Sequence, residues 1–282
     1  MNNLIIENNI VRGCTDKDIL KLEIPEGVVA IGDNAFSDFD KLYDVELPDT
    51  LIKIGSNAFE NCTALKSVNL NVNFIGEYAF SGCSSLHEIT FGENIGYLCN
   101  GTFLGCSSLE EIVIPKNITY IGCECFRDCT SLSSVDIKGA MELDNNAFEH
   151  CTNIYNISFP HSLIHISSNA FSFCENLKTV IIQNKFIDID ENAFEYDVNI
   201  IIKAVQFSTA YNYTQQHRFS FCPTILDSDY RVISSEELSR ISKAGILIRA
   251  KQLDASKDEM LIIFDKSAKE RIDSLIGGNK DG

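Results

Sequence analysis

One phenylalanine recurs along most of the chain at a nearly constant interval: Phe36, Phe59, Phe80, Phe103, Phe126, Phe148, Phe171 and Phe194. The steps between them are 23, 21, 23, 23, 22, 23 and 23 residues. Each lies in a copy of I-G-x-N-A-F-x-x-C-x-x-L-x-x-V-x-I-P, and a partial last copy begins IDENAF. A unit this short cannot bury its Phe, Leu and Val by itself. Stacked units can, so the period points to a coil repeated along an axis, not to a series of domains.

The pattern within a unit predicts its local structure. V-x-I alternates inward and outward as a strand does. A-F-x-x-C-x-x-L has a spacing of three to four, which predicts a helical or 3₁₀ turn. A second extended piece, such as Val28 to Ile31, completes the coil. Neighbouring strands then pair into a parallel ribbon at about 4.8 Å per coil, and eight or nine coils make a rod of roughly 40 Å. Asn34, Asn57, Asn146, Asn169 and Asn192 precede the Ala-Phe pair. They are read as turn residues, because Asn tolerates left-handed backbone.

The I-G-x-N-A-F, G-C-S-S-L and I-P elements, as in Ile75 to Phe80, Gly82 to Leu86 and Ile114-Pro115, resemble the bacterial surface-antigen (BspA-like) class of leucine-rich repeats. The resemblance covers about residues 1–226. It implies a right-handed solenoid with a parallel β ribbon and short helical turns, used for adhesion or protein–protein contact, without catalytic residues. Residues 1–30 are similar to an N-terminal cap and 198–226 to a C-terminal cap of strand, short helix and strand. Asn8-Asn9 would turn a hairpin in the first. In the second, Ser208 would cap the helix, with Tyr211 and Tyr213 as lids over the last coil. Open coil ends expose apolar side chains and strand edges, so caps are physically required.

Residues 227–282 fall outside this pattern. They hold 11 acidic and 10 basic residues, whereas 1–226 hold 29 and 13. They read as a small α+β module or docking tail. Strands are expected at Tyr230–Ile233, Ile246–Ile248 and Met260–Phe264, with one helix ending at Lys243 and another through Leu275.

The charge excludes several functions. Asp and Glu number 40 against 23 Lys and Arg, a net charge of −17. Such a chain repels phosphate backbones, so nucleic acid is not an expected partner. No apolar run approaches the roughly 18 residues of a membrane helix, so membrane insertion is not expected. No signal peptide is visible, which favours the cytoplasm; a leader outside this sequence would place the chain at the cell surface or in the medium.

Candidate chemistry is sparse. Cys62, Cys83, Cys106, Cys129, Cys151 and Cys174 each follow the repeat Phe by three residues, with Phe39 and Asp197 in the end slots. This is a ladder of buried thiols, not a disulfide pattern. Cys123, Cys125 and Cys129 could suggest a metal, but two of them are ladder or repeat positions and no further ligands complete a tetrahedron. His150 adjoins Cys151, yet neighbours in an extended stretch point apart. No hydrolase, zincin, phosphate-loop or dinucleotide motif occurs. No catalytic, cofactor-binding or metal-binding residues are assigned.

What remains is a surface. The residues flanking the V of L-x-x-V-x-I point outward, and they include Glu23, Asp44, Glu46, Glu88, Glu111 and Asp136, with Lys21 as the one base. Later coils are neutral there. Tyr43, Phe74, Tyr97, Tyr120 and Tyr155 are read as loop aromatics able to anchor a contact. The expectation is a non-catalytic scaffold binding a protein or peptide of basic character along the ribbon. Its alternatives are adhesion to host matrix or glycan, and a targeting platform for an activity in 227–282. The absence of Trp argues against a sugar groove.

Overall fold

The computed structural model describes residues 3–197, 200–205, 208–217, 219–223, 249–254 and 259–263. Among these, nine successive strands of three or four residues run from Lys21–Glu23 to Ile201–Ala204, one per coil. They form the long ribbon. A second set of two-residue strands, from Ala30–Ile31 to Asp188–Ile189, forms a short ribbon. Both ribbons are parallel, with register partners one repeat apart: Ile112 opposite Val135 in the first, Ile121 opposite Leu143 in the second. The predicted solenoid is therefore the observed fold.

Between the ribbons lies one continuous core. Its spine is the phenylalanine column. All eight rings are buried, and successive rings stack with centroids 5.2 to 5.7 Å apart and planes within 15°. Leu42, Leu65, Leu86, Leu109, Leu132, Ile154 and Leu177 fill the next row.

The segment around each Phe is not a helix. It is a run of turns held in two directions. In the first coil the N–H groups of Ala35, Ser37 and Phe39 close local three-residue turns onto Gly32, Asn34 and Phe36. The alternate N–H groups, on Asn34, Phe36 and Asp38, donate to Ser56, Ala58 and Glu60 of the next coil. Left-handed residues four apart cause this alternation. Asn34 and Asp38, Asn57 and Asn61, and Asn146 and His150 all have φ between 52° and 62°. A left-handed residue stops a helix from propagating and turns the next peptide outward. The expected helical turn is thus replaced by a third hydrogen-bonded ladder. The backbone role assigned to Asn34, Asn57, Asn146 and Asn169 is seen directly in their positive φ values, whereas Asn192 of the last coil does not adopt the left-handed conformation.

Variation in repeat length falls at one corner. From Phe through Cys, Leu and the long strand the spacing is constant up to Phe171, and in the last coil the strand Ile201–Ala204 begins one residue earlier relative to Phe194. The 21- and 22-residue units lose their residues between the long strand and the short one, at 71–73 and 138–141. The shortened second corner needs Gly139, where a Cβ would lie 2.3 Å from the carbonyl oxygen of Lys116.

The ends are closed as expected from their residues. Leu4–Glu7 pairs antiparallel with Ile10–Cys14 through Asn8 and Asn9, both left-handed as a tight hairpin requires. Ile10–Val11 then starts the short ribbon beside Ala30–Ile31. At the far end Ser208 Oγ accepts from the N–H of Tyr211 and caps the helix Thr209–His217. Tyr213 is buried against Phe194, while Tyr211 is half-buried against Phe221. Ser220–Pro223 pairs parallel with Ile201–Ala204 and ends the long ribbon. Beyond it, Arg249–Asp254 and Glu259–Ile263 pair as an antiparallel hairpin. The second falls on the expected Met260–Phe264 strand; the first was not anticipated. The strands expected at 230–233 and 246–248, and both helices, lie outside the described residues.

Candidate interaction surfaces

The long ribbon carries the outward acids, but in a more neutralised form than the sequence suggests. Lys21 Nζ sits 2.9 Å from Asp44 Oδ2, and Lys138 Nζ sits 2.5 Å from Asp136 Oδ2. Glu23 and Glu46 are exposed and stand opposite one another in register. Glu88 and Glu111 are exposed on adjacent coils. The ribbon is not one unbroken sheet. Ser67–Leu70 pairs with Glu88–Phe91, and Glu111–Ile114 pairs with Ser134–Ile137, so Glu88 and Glu111 flank a discontinuity. A surface cavity of about 370 Å³ lies there, lined by His87, Glu88, Phe91, Glu111, Val113 and Pro115 among others.

The aromatic candidates divide between two faces. Tyr43 and Tyr155 immediately precede long strands. Tyr155 is exposed, but Tyr43 is half-buried, with Lys21 and Lys66 each 5.5 Å from its ring centroid. Its faces are already occupied by cations, so it is not a free anchor. Phe74, Tyr97 and Tyr120 are not in loops. They open the two-residue strands of the short ribbon, at the register position of Lys53. Phe74 and Tyr97 meet edge to face at 6.1 Å, and Lys53 Nζ lies 5.0 Å from the Phe74 centroid. Tyr120 donates its hydroxyl to Asp144.

Sequence reasoning missed most of this second face. The residue before the short strand is also outward in most coils, and Val29, Ile52, Met141 and Ile164 are exposed there, whereas Ile187 of the last coil is buried. The signal was present in the repeat alignment: these apolar residues share one register position that the core uses only in the last coil.

A model of the BspA type leucine-rich repeat region matches residues 5–133 and 96–226, with six copies of the repeat. The chain belongs to the BspA-type leucine-rich repeat family. A leucine-rich repeat protein from Bacteroides ovatus shares its fold, with a TM-score of 0.56 and 23% identity over 72% of this chain. One from Eubacterium ventriosum superposes with a TM-score of 0.53 and 25% identity over 61% of it. The match spans 62% of the Bacteroides chain and 50% of the Eubacterium chain. No curated protein matches.

The BspA-type cysteine position has a structural role. Cys62, Cys83, Cys106, Cys129, Cys151 and Cys174 are fully buried, and each thiol donates to the carbonyl of the repeat Phe one coil earlier, at 3.1 to 3.4 Å. Burial pushes these thiols up, Cys62 to about 12. Cys151 therefore does not face His150, whose ring stacks on Phe173 at 4.6 Å. Phe173 stacks in turn on Tyr196 at 4.4 Å. All three are left-handed, in the slot that earlier coils give to Asp38, Asn61, Gly82, Gly105 and Asp128. Cys125 and Cys129 are buried in the core, and among the described residues no group of three His, Cys, Asp or Glu is placed to hold a metal. No described helix is long and apolar enough to cross a membrane.

In the last coil the thiol slot holds Asp197. Its carboxylate oxygens are buried without a hydrogen-bond partner, beside a cavity of about 490 Å³ also lined by Glu191, Tyr213 and His217. Burial raises its pKa from 3.8 to about 7.

Proposed function

We propose that this leucine-rich repeat chain is a non-catalytic recognition scaffold whose long ribbon receives a basic segment of a partner protein. One observation carries the reading: Glu88 and Glu111, on either side of one of the ribbon's three breaks among the described residues, both line a surface cavity with apolar walls from Phe91, Val113 and Pro115. A Lys or Arg side chain fits that chemistry, with its stem against the apolar wall and its cation between the carboxylates. Glu23, Glu46 and Asp44 extend the acidic surface toward the N-terminal coils. Tyr155 adds an aromatic contact toward the C-terminal ones. The stacked coils hold these groups in place before binding, which lowers the ordering cost on association.

The test is capture of partners by the full chain, compared with a variant carrying Asp44→Lys, Glu46→Lys, Glu88→Lys and Glu111→Lys. Loss of capture, together with loss of its salt sensitivity, is expected. Unchanged capture would overturn the ribbon assignment. Capture that disappears only when 227–282 are removed would move the function to that segment.

A further inference from the structure

The short ribbon presents two outward rows of side chains. In coil order, one row reads Val29, Ile52, Asn73, Gly96, Thr119, Met141 and Ile164. The other reads Ala30, Lys53, Phe74, Tyr97, Tyr120, Glu142 and His165. Backbone bonds tie the first row in two runs, from Ile52 to Val29 and Asn73 to Ile52, then from Thr119 to Gly96, Met141 to Thr119 and Ile164 to Met141, with a break between the Asn73 and Gly96 coils. Within each run the side chains are therefore fixed at about 4.8 Å intervals. Two exposed apolar patches, Val29 with Ile52 and Met141 with Ile164, flank a polar and aromatic centre, an arrangement that suits a contact surface.

The order of residues identifies the occupant. Apart from the end pair Ala30 and His165, both rows are self-complementary when reversed about the Tyr97 coil. Reversal places Phe74 against Tyr120 and Tyr97 against its own copy. In the other row it places Ile52 against Met141 and Val29 against Ile164, with Asn73 against Thr119. The charged position also matches: Lys53 falls against Glu142. Apolar meets apolar, polar meets polar and cation meets anion at each of these pairs; Ala30 against His165 is the one pair of the fourteen positions that does not match. A two-fold axis makes this demand of a surface, since residue i must suit j and j must suit i. A different partner would place no such constraint on the order.

We propose that two copies of this chain associate antiparallel through their short ribbons, with the two-fold axis at Tyr97. This leaves the acidic long ribbon of each copy free. Seven coils and two rows give a footprint of roughly 400 Å² on each partner, or about 800 Å² in total, below the usual size of a stable interface, so the dimer is a weak one in exchange with monomer. The intramolecular neighbours do not oppose it. Lys53 lies over Phe74, and Glu142 is 3.8 Å from His165 Nδ1, leaving both charges at the surface.

Sedimentation velocity of the full chain over a concentration series, at low and at high salt, tests this. The sedimentation coefficient is expected to rise with concentration and less steeply in salt. Lys53→Glu and Glu142→Lys each create two repulsive pairs per dimer, and each is expected to weaken self-association at least tenfold. Mixing the two variants, one carrying an affinity tag, recreates two attractive pairs, and a mixed dimer should be recovered at near the original strength. Tyr97→Arg places like charges on the axis and should leave monomer. All three positions are at the surface, and an unchanged melting temperature checks that each variant folds. A chain that is monomeric throughout, a dimer indifferent to these changes, or failure of the mixed pair to associate would each overturn the proposal.

Discussion

The thiol of Cys151 donates to the carbonyl oxygen of Phe126, one coil earlier, at 3.1 Å. The bond joins the cysteine ladder to the phenylalanine column, and it recurs in every coil that has the cysteine. Replacing Cys151 with Ala removes the donor and leaves a small void. A loss of ~1–2 kcal/mol in a denaturant titration is expected. Full stability in Cys151→Ala would show that neither the bond nor the bulk of the sulfur stabilises the coil.

Reactivity should separate the thiols by position. Cys83, Cys106, Cys125, Cys151 and Cys174 are held far above the usual thiol range by burial. Cys14, Cys99 and Cys123 are half-buried. The thiolate is the reactive form. Brief alkylation at pH 8 followed by peptide mass mapping should modify the half-buried group first and the ladder only in denaturant. Equal rates for Cys99 and Cys106 would contradict the packing described.

Asp197 makes the end of the solenoid pH-sensitive. Its folded pKa of about 7 lies above the ordinary 3.8, so the native state holds the proton more tightly than the unfolded chain. That preference contributes stability below about pH 4 and is lost as pH rises through about 7. Asp197→Cys restores the ladder residue and removes the charge. It should raise stability by ~2 kcal/mol at pH 8 and by less at pH 5. A melting-temperature difference between variant and parent that is the same at both pH values would refute the assignment.

Gly101 occupies a left-handed position with φ of 59°, and a Cβ there would lie 2.2 Å from the ring of Tyr78. Gly101→Ala should cost about 1–2 kcal/mol from backbone strain and displacement of that ring. Adding Tyr78→Asn, the residue that Asn57 and Asn146 represent in other coils, should recover part of the loss. A double-mutant cycle measures the coupling, and strict additivity would mean that ring and glycine are independent.

Much of this architecture was legible before any coordinates, because a repeat states each structural demand several times over. Phe36 to Phe194 name the column, Cys62 to Cys174 the ladder beside it, and Asn8-Asn9 the hairpin. The turn segment was misread because A-F-x-x-C-x-x-L has helical spacing while its left-handed residues, two per coil except in the last, are spread over Asn, Asp, Gly, Glu, Tyr, His and Phe. The surface was harder. Reading V-x-I outward located Glu23, Glu46, Glu88 and Glu111, but Tyr97 and Tyr120 were placed in loops because a two-residue strand has no alternation to detect. The discontinuity between Glu88 and Glu111 has no sequence signature, since it is a matter of which carbonyls reach which amides.

The corner where the repeat changes length has a practical meaning. Residues 71–73 and 138–141 shorten without disturbing ring or thiol, so natural variation has already tested this corner as a splice point. A new peptide inserted after Asn71 would emerge between the two sheets, and a series of such insertions could display different cargo from successive floors of one molecule.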